Sequence, residues 1–353
     1  MTDSKIPKFP LPQKGEIRIA PICVVPNLLR EFGVAPGRLL KRFGLTEEYF
    51  HNPDNPISYE LMGRIVMAAA RATACPHFGL LIGQRGSAST LGTAGILVNH
   101  AQTVVTALNE IVDNIGLHDR GATVYIEVGD ETTLLGYSIH DARIQGTDQI
   151  GDAAVAIMWN IMRGLCGPEW QPVEVCLRRE APADLGAHQR FFWRAPLRFN
   201  APHNALIFST AWLARPLEPP DPALRQHLLR QIADMRRYSH QDFREKCLQV
   251  LLALLSKQPC TVDDLARHFV MHQRTLNRRL KGSGTSFREL YAEARHQTAR
   301  RLLYDTRSSI DYIATLLGYS ETTAFNRAFS RWEGVPPAAW RRRSRVAAGH
   351  DPG

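Results

Sequence analysis

The sequence predicts an α+β N-terminal domain joined to an all-α C-terminal domain, in which a long helix links two tandem helix-turn-helix units. Three observations support this prediction. Helical and strand-like hydrophobic periods follow one another between residues 20 and 215, a segment with four prolines comes next, and a helix-turn-helix pattern then occurs twice. The length of 353 residues leaves room for two domains, because one core rarely serves more than about 250 residues.

The N-terminal domain is predicted over residues 21–215, behind a polar flexible arm at 1–20. Its first half is helical, with amphipathic helices over 58–74 and 103–118. Its second half changes to the two-residue period of strands around one strong helix at 147–167. We expect strands at 122–128, 132–140 and 172–180 and in PLRFN and NALIFS, and short helices in LLREFG, RLLKRFG and DLGAHQRFF.

A connector is predicted over residues 216–257. It begins as a proline-rich linker, since the segment ARPLEPPDPA at 214–223 holds four prolines and cannot continue a helix. Two amphipathic helices then extend to about residue 257, and their apolar stripes need a partner. That partner is either the flanking domains or a second subunit, so a homodimer formed here is one expectation.

The helix-turn-helix units occupy residues 258–345, and a short tail follows at 346–353. The apolar spacing of a first helix occurs twice, 48 residues apart, at Val262, Leu265, Ala266 and Phe269 and again at Ile310, Ile313, Ala314 and Leu317. A turn and a second amphipathic helix follow each time, with the sequences HQRTLNRRLKGSG and SETTAFNRAFSRWEG. The segment at 286–306 is predicted to be a continuous linking helix of about 30 Å, close to one turn of duplex DNA.

The net charge of +9 is concentrated in the same quarter of the chain. Residues 257–345 carry 17 basic and eight acidic side chains, and 15 of the basic ones are arginine, whereas residues 1–256 have a net charge of +1. Arginine is suited to phosphate and to the edge of guanine. Charge alone does not distinguish such a surface from an ordinary solvated basic face, but the repeated motif favours double-stranded DNA as the partner.

The second helix of each unit carries polar side chains on the face opposite its apolar residues. An arginine can bind guanine O6 and N7 together, an asparagine can bind adenine N6 and N7, and smaller polar groups suit positioning more than discrimination. We expect base contacts from Gln273, Arg274, Asn277, Arg278, Thr322, Thr323 and Asn326, and phosphate contacts from Arg327, Arg331 and Arg341. Two readings stay open for other arginines, namely phosphate contact or an internal salt bridge for Arg300 and Arg301, and phosphate contact or a solvated tail for Arg342 and Arg343.

The C-terminal motifs resemble those of a known family. The stretch IATLLGYSETTAFNRAFSRWEGVPPAAWR at 313–341 is similar to the signature of AraC/XylS-type transcriptional regulators, and DLARHFVMHQRTLNRRLKGSGTSF is similar to the first unit of their DNA-binding domain. The resemblance implies two recognition helices that enter successive major-groove segments. It also aligns Arg274, Asn277 and Arg278 with the base-reading positions of the family.

The first turn departs from that pattern at two positions. Val270 stands where the family usually has glycine, and a β-branched residue is strained at positive φ. His272 replaces the usual serine or threonine cap. We therefore expect the first turn to have a different shape from the family pattern.

The N-terminal domain resembles the arabinose-binding-type effector domain of one branch of these regulators. The segments HFGLLIGQRGSASTLGTAGILVNHAQTVVTALNEI and FNAPHNALIFSTAWLARPLEPPDPAL carry this resemblance. It implies a small-molecule sensor, so the whole chain is expected to be a ligand-responsive, sequence-specific transcription regulator, with RNA polymerase as a further candidate partner. The aromatic and cationic candidates for effector binding are Trp159, Arg163, Arg178 and Trp193, and an anionic effector would require one of the two arginines.

Enzymatic functions are disfavoured by the motifs that the sequence lacks. It has no phosphate-binding loop, zinc-protease or nucleophile-elbow motif, so we expect no catalytic residue, no metal and no cofactor. The Gly/Ser-rich stretch GSASTLGTAG at 86–95 reads as a turn into a helix, because no lysine follows it. DNA-repair methyltransferases with a similar DNA-binding part are an alternative, but Cys260 is followed by Thr261-Val262 and not by the His-Arg of their motif.

Two further expectations concern the setting of the protein. An architectural DNA binder without an effector is disfavoured, because such a protein would not need some 200 residues of additional neutral domain. The sequence has no signal-peptide core, no apolar run long enough to span a bilayer and no zinc-type cysteine spacing. We therefore expect a cytoplasmic protein with reduced thiols.

Overall fold

The computed structural model describes residues 11–347, with gaps at 142, 194, 218–220, 239–242, 256–258, 270–271 and 307. The chain divides into an N-terminal unit, Met1–Ile139 with Arg143–His240, and a C-terminal unit, Gln241–Gly353 with the short segment His140–Ala142. The N-terminal unit is α+β and the C-terminal unit is all-α, so the predicted fold class is confirmed.

The N-terminal unit begins with a two-stranded antiparallel sheet. Strand β1 (Glu16–Arg18) pairs with β2 (Pro56–Ser58), and Ile17 and Ile19 are buried in the core. The predicted flexible arm at 1–20 is therefore wrong for its last part, because the alternation of apolar and polar side chains over 16–19 is that of a short strand. Residues 1–10 of that arm lie outside the described residues.

Six helices follow in the first half of the unit. They are α1 (Val25–Glu31), α2 (Pro36–Lys41), α3 (Tyr59–Ala72), α4 (Phe78–Gln84), α5 (Thr93–Val98) and α6 (Val104–Asn114). Ser58 and Thr103 cap α3 and α6, because each side-chain hydroxyl accepts a hydrogen bond from a backbone N–H in the first turn, at 3.2 and 3.3 Å. These caps explain why the amphipathic pattern begins where the sequence places it.

A five-stranded sheet forms the second half of the unit. Its strands are β3 (Ala122–Val128), β4 (Thr132–Ile139), β5 (Glu174–Cys176), β6 (Leu197–Arg198) and β7 (Asn204–Ser209), in the order β3-β4-β7-β5-β6. All pairs are antiparallel except β5 with β6. The strand predicted over 172–180 is three residues long, because the Arg178 backbone N–H donates to the side-chain oxygen of Asn204, at 2.9 Å, and not to a backbone carbonyl of a neighbouring strand.

Helix α7 (Thr147–Cys166) packs against this sheet and against α4, and the short helix α8 (Gly186–Phe191) follows it. Two glycines in α4 allow a close approach to α7. A Cβ atom on Gly79 would lie 2.0 Å from the Gln149 carbonyl oxygen, and one on Gly83 would lie 2.5 Å from that of Ala153. Glycine inside a helix costs about 1 kcal/mol, and the close contact between α4 and α7 offsets that cost.

The two connector helices belong to different units. Helix α9 (Pro222–Tyr238) is part of the N-terminal unit, where Leu228 and Ile232 pack on Leu97 and Leu117. Helix α10 (Phe243–Leu254) is part of the core of the C-terminal unit. The apolar stripe of α10 is thus covered within the chain, whereas that of α9 is covered at Leu228 and Ile232 but not at Leu224 and Leu229.

Over its described residues the C-terminal unit contains six further α-helices. They are α11 (Val262–His268), α12 (Gln273–Gly282), α13 (Phe287–Asp305), α14 (Ile310–Leu316), α15 (Thr322–Glu333) and α16 (Pro337–Ala347). Helices α11 and α12 form the first helix-turn-helix unit, and α14 and α15 form the second. Two roles are open from the sequence for Arg342 and Arg343, namely phosphate contact or a place in a solvated tail. Both residues lie on helix α16.

Helix α13 joins two separate small cores. Leu290 and Ala294 pack with Leu276 and Leu280 in the first core. Ala299 and Leu303 pack with Ile313, Phe325 and Phe329 in the second. The 19 residues of α13 span about 28 Å. A single rigid helix that contributes to both cores holds the two helix-turn-helix units at a set spacing.

Candidate functional site

Helix α12 presents a continuous polar face. Leu276 and Leu280 point into the core and are fully buried. The four residues predicted to contact bases from this helix, Gln273, Arg274, Asn277 and Arg278, are all exposed. Within the part of the chain that the structure describes, none of these four side chains forms a hydrogen bond or an ion pair, so their side-chain donors and acceptors are available to a ligand.

The start of α12 differs from those of α11, α13 and α14. His272 occupies the cap position with extended backbone, but its side chain makes no capping hydrogen bond. Helices α11, α13 and α14 have side-chain caps from Thr261, Ser286 and Ser309. The expectation that the first turn has an unusual shape also concerns Val270, which lies outside the described residues.

Helix α15 has a more constrained outer face. The Thr322 hydroxyl donates to the Asp311 carboxylate at 2.6 Å, and the Thr323 hydroxyl donates to Glu321 at 3.0 Å. Asn326 is half-buried. Because two of its three small polar groups already form hydrogen bonds within the unit, this helix is better suited to holding a position than to reading bases.

The arginines near α15 differ in their availability. Arg327 and Arg331 are exposed. Arg341 is half-buried and donates from Nη2 to the Ser308 carbonyl at 2.6 Å, so one part of its guanidinium holds α16 in place. Arg300 lies 3.4 Å from the Glu333 carboxylate and over the ring of Trp340. Of the two roles open from the sequence for Arg300, phosphate contact or an internal salt bridge, the structure therefore shows the salt bridge.

Glu333 connects three helices of the second unit. Its carboxylate accepts hydrogen bonds from His296 Nε2 at 2.6 Å and from Trp340 Nε1 at 2.8 Å. Burial alone raises the pKa of Glu333, but the hydrogen bond from His296 and the charge of Arg300 outweigh it, so the pKa lies below its ordinary value. This cluster is not predicted from the sequence. Its residues lie on α13, α15 and α16, and only the folded chain brings them together.

Arg295 was also missed, and it supports the turn of the second unit. Its guanidinium lies between the rings of Tyr291 and Tyr319, 4.3 and 4.5 Å from their centroids, and donates to the Gly318 carbonyl at 2.9 Å. Gly318 has φ +73°, a conformation that favours glycine. The turn that orients α15 is therefore braced from the linking helix.

The N-terminal unit contains a cavity of about 80 Å³, which we call the apolar cavity. Its walls come from β1, from α3, α4, α6 and α7, from the sheet and from the turn at 86–95. Its lining residues are Ile17, Pro21, Ile22, Met62, Val66, Ile82, Thr90, Leu91, Ile111, Ile115, His118, Asp119, Val124, Leu135, Tyr137, Gln149, Ile150, Ala153, Ala154, Ile157, Met158 and Ile161.

A buried hydrogen-bond network forms the polar corner of this cavity. The Tyr59 hydroxyl donates to the Asp119 carboxylate at 2.5 Å and is also hydrogen-bonded to the Tyr137 hydroxyl. The other Asp119 oxygen accepts from the backbone N–H groups of Gly121 and Ala122, at 2.9 and 3.0 Å. Burial raises the pKa of Asp119 to about 6 even though these hydrogen bonds favour its charged form.

His118 lies beside that network and is 3% exposed. Burial, with a smaller contribution from the charge of Arg18, lowers the pKa of His118 to about 3. The imidazole is therefore neutral near pH 7. Among the described residues its Nδ1 has no hydrogen-bond partner. His118 and Asp119 are not predicted from the sequence, because nothing in the local sequence pattern indicates that they line a cavity.

The four residues predicted to bind an effector lie elsewhere in the N-terminal unit. Trp159 is 2% exposed and packs among aromatic rings, Arg163 and Arg178 are half-buried, and Trp193 is 52% exposed. All four are described by the structure, and none of them lines the apolar cavity. The prediction selected tryptophan and arginine residues, and residues of these types do not occur among the described residues in the walls of this cavity, which are mostly aliphatic.

His118 makes the stability of the N-terminal unit depend on pH. The folded imidazole has a pKa of about 3, below its ordinary 6.5, so the unfolded chain takes up a proton that the folded chain resists. We expect the free energy of unfolding to fall as the pH drops from about 6.5 towards 3. In denaturant titrations across this range His118→Leu should show a shallower fall, whereas the control Ile111→Val, in the same wall, should keep the slope of the unsubstituted protein.

Asp119 acts with the opposite sign over a narrower range. Its folded pKa of about 6 is above its ordinary 3.8, so the stability linked to its protonated form is present below 3.8 and is lost as the pH rises through 6. The His118 pKa shift covers a wider pH range than the Asp119 pKa shift, so the two slopes nearly cancel between pH 6 and 3.8, and the histidine determines the net loss of stability outside that interval. A stability that rises on acidification from pH 6.5 would contradict this assignment.

The cysteines and the charged clusters give no sign of a catalytic or metal site. In the described part of the chain none of the six cysteines forms a disulfide, and burial raises the pKa of the Cys260 thiol to about 12, the opposite of an activated nucleophile. Among the described residues, no group of His, Cys, Asp and Glu side chains is arranged to hold a metal ion. Within the same residues no helix is both long and apolar enough to cross a bilayer.

Two helix-turn-helix units on one rigid helix, together with a separate unit that contains a cavity, define a ligand-responsive, DNA-binding regulator of transcription. Residues 33–217 match the arabinose-binding domain of AraC transcription regulators, and residues 265–343 match a helix-turn-helix domain. The chain therefore belongs to the AraC family of transcription regulators with an arabinose-binding-type N-terminal domain.

Several relatives extend over nearly the whole chain. The HTH-type transcriptional regulator VirS of Mycobacterium tuberculosis is 26% identical over 317 residues, which are 89% of this chain and 93% of that protein. The ornithine utilization regulator of Pseudomonas aeruginosa is 26% identical over 329 residues, with the same two coverages. The crystal structure of the regulator CdpR from Pseudomonas aeruginosa covers 92% of this chain and 98% of its own, with 24% identity and a TM-score of 0.46.

Proposed function

We propose that this regulator reads its operator mainly with α12, positions itself with α15, and changes its DNA affinity when an effector occupies the apolar cavity. The observation that carries the proposal is the contrast between the two recognition helices. Four long polar side chains without internal partners lie on α12, whereas two of the three small polar groups on α15 are engaged within the unit. Base discrimination requires donors and acceptors that are free in the unbound protein.

Each side chain on α12 has a role that fits its chemistry. Arg274 and Arg278, one turn apart, can each bind guanine O6 and N7 in the major groove, and Asn277 and Gln273 can bind adenine N6 and N7. On α15 the corresponding contacts come from Thr322, Thr323 and Asn326 and are weaker. Phosphate contacts come from Arg327 and Arg331, which are exposed, and from Arg341, which is half-buried and also donates to the Ser308 carbonyl.

The base-reading role of α12 is tested by substitution of Arg278. We expect Arg278→Ala to weaken binding to the selected operator by about 1–3 kcal/mol and to relax specificity at one base pair, because its guanidinium would lose paired contacts with a guanine. Fluorescence anisotropy on matched and single-mismatch duplexes measures both quantities.

The control for that experiment is Arg331→Ala. This exposed arginine of α15 is assigned to phosphate, so its loss should weaken matched and mismatched duplexes by the same factor. If Arg278→Ala also shifts all duplexes equally, Arg278 does not read a base.

We also propose that the regulator acts as a homodimer in the cytoplasm and contacts RNA polymerase. The dimer proposal is supported by α9, whose Leu224 and Leu229 remain 39% and 43% exposed although Leu228 and Ile232 are buried. Sedimentation equilibrium should give a dimer mass that Leu224→Glu with Leu229→Glu shifts towards the monomer. A monomer in the unsubstituted protein at micromolar concentration would contradict the dimer.

A further inference from the structure

The walls of the apolar cavity contain few polar groups. Of its 22 lining residues 17 are apolar, and none of these described lining residues is a lysine or an arginine. The five polar ones are Thr90, His118, Asp119, Tyr137 and Gln149. A ligand with several hydroxyl groups or a charge would have to find partners among these five, because buried polar groups without hydrogen bonds are costly.

Most of those five side chains already have partners. Gln149 accepts from the Gly79 N–H at 2.7 Å and donates to the Pro76 carbonyl at 2.9 Å, and the Thr90 hydroxyl accepts from the Ser87 N–H at 3.0 Å. The Asp119 and Tyr137 side chains are engaged with Tyr59. The buried ring of His118, with its unpartnered Nδ1, is the remaining hydrogen-bonding group.

The charge at the polar corner also restricts the ligand. The Asp119 carboxylate lies in the wall, so an organic anion placed there would meet a like charge with no cation of the lining to offset it. A cation would lose its hydration against a carboxylate whose oxygens already accept hydrogen bonds from Tyr59, Gly121 and Ala122. A neutral group that exchanges one hydrogen bond with His118 meets neither obstacle.

We propose that the apolar cavity takes an uncharged, largely hydrocarbon molecule with a single hydrogen-bonding end, which binds the ring of His118. The proposal rests on the sensor role of the N-terminal unit and names its ligand class. The proposed ligand differs from arabinose, the sugar that the description of this domain family names. A pentose has several hydroxyl groups, and the lining leaves only one side chain to form hydrogen bonds with them. The proposed ligand also replaces the anionic effector expected from the arginines.

The size of the cavity adds a consequence for regulation. A cavity of about 150 Å³ accepts benzene, and the apolar cavity measures about 80 Å³. A ligand of more than a few heavy atoms therefore enters only if the walls move. Met62 and Met158 are the adaptable side chains there, and Thr90 and Leu91 come from the Gly/Ser-rich turn at 86–95. Wall movement supplies the structural difference between empty and occupied states that an effector must exploit.

The test compares four probes on the full-length protein by isothermal titration calorimetry. Octan-1-ol, octanoate and octylammonium share one hydrocarbon chain and differ in charge, and L-arabinose represents the sugars. We expect octan-1-ol to bind at one saturable site, at least about tenfold more tightly than either ion, and arabinose to give no heat of binding. Equal or tighter binding of octanoate, octylammonium or arabinose would overturn the proposal, as would the absence of saturable octan-1-ol binding.

Two variants locate the site. Ala154→Leu adds volume inside the cavity and should weaken octan-1-ol binding about tenfold, whereas the control Ala211→Leu, at an exposed position, should leave it unchanged. His118→Leu keeps an apolar wall but should reduce the preference for octan-1-ol over 1-chlorooctane. Thermal unfolding identifies any variant that fails to fold. Octan-1-ol binding that neither Ala154→Leu nor His118→Leu changes places the site outside the cavity and overturns the proposal.

The same preparations separate this inference from the proposed function. Operator affinity is measured with and without saturating octan-1-ol. If octan-1-ol binds as expected but operator affinity does not change, the ligand class stands and effector control by the cavity is wrong. If the operator is bound specifically but octan-1-ol does not bind, DNA reading stands and the ligand class is wrong.

Discussion

Replacement of Phe329 by alanine should lower the free energy of unfolding of the C-terminal unit by about 3–5 kcal/mol and abolish specific DNA binding. Phe329 is fully buried, and its ring contacts those of Phe325 and Trp340, with centroids 5.8 and 5.9 Å apart. The second core that contains it is small, so the loss of one ring removes a large part of its apolar surface. Recognition fails because α15 is no longer held at its spacing from α12.

Urea unfolding followed by far-ultraviolet circular dichroism measures this loss. The matched control is Tyr312→Ala, since Tyr312 lies on α14 of the same unit and is 57% exposed, and it should change stability by less than about 0.5 kcal/mol. A Phe329→Ala variant that retains operator affinity would show that α15 is not needed for recognition.

Replacement of Trp159 by alanine should destabilise the N-terminal unit by a similar amount, about 3–5 kcal/mol. The Trp159 ring lies 5.4 Å from that of Trp170 and 5.3 Å from that of Phe192, both in edge-to-face geometry. Such pairs add to the free energy of burial. The effect should be one of stability, and the folded fraction of the variant should keep its affinity for a cavity ligand.

Trp193→Ala is the control for this prediction. Trp193 is 52% exposed, so its loss should change the unfolding midpoint little. Thermal unfolding and ligand titration on both variants give the two readouts. If Trp159→Ala has unchanged stability but no longer binds the ligand, Trp159 belongs to the effector site, as the sequence predicts.

The C-terminal fold could be predicted from sequence because its determinants are local. The repeated spacing of apolar residues defines each helix, and capping residues such as Thr261, Ser286 and Ser309 mark where helices begin. The polar face of α12 follows directly from that periodicity. The contacts that brace α15, from Arg295 and Glu333, could not be predicted, because they join residues 23 and 37 positions apart in the chain.

The candidate ligand site could not be predicted for a different reason. A cavity is a place where packing is incomplete, and eight or more separate segments of the chain line this one. His118 and Asp119 acquire their altered pKa values chiefly through burial, which only the folded chain provides. Tryptophan and arginine are frequent in binding sites, but residue type does not show that Trp159 packs among the aromatic rings of Trp170 and Phe192, so its role in effector binding stays a prediction.

Two recognition helices of one chain are proposed to read two major-groove segments, with α12 as the discriminating helix. Guanine-methylation interference on an operator selected from random DNA tests it most directly. We expect two clusters of interfering guanines about 10 base pairs apart on one face of the duplex, and Arg278→Ala should remove interference in one cluster only. A single cluster, or two clusters that Arg278→Ala leaves unchanged, would contradict the claim.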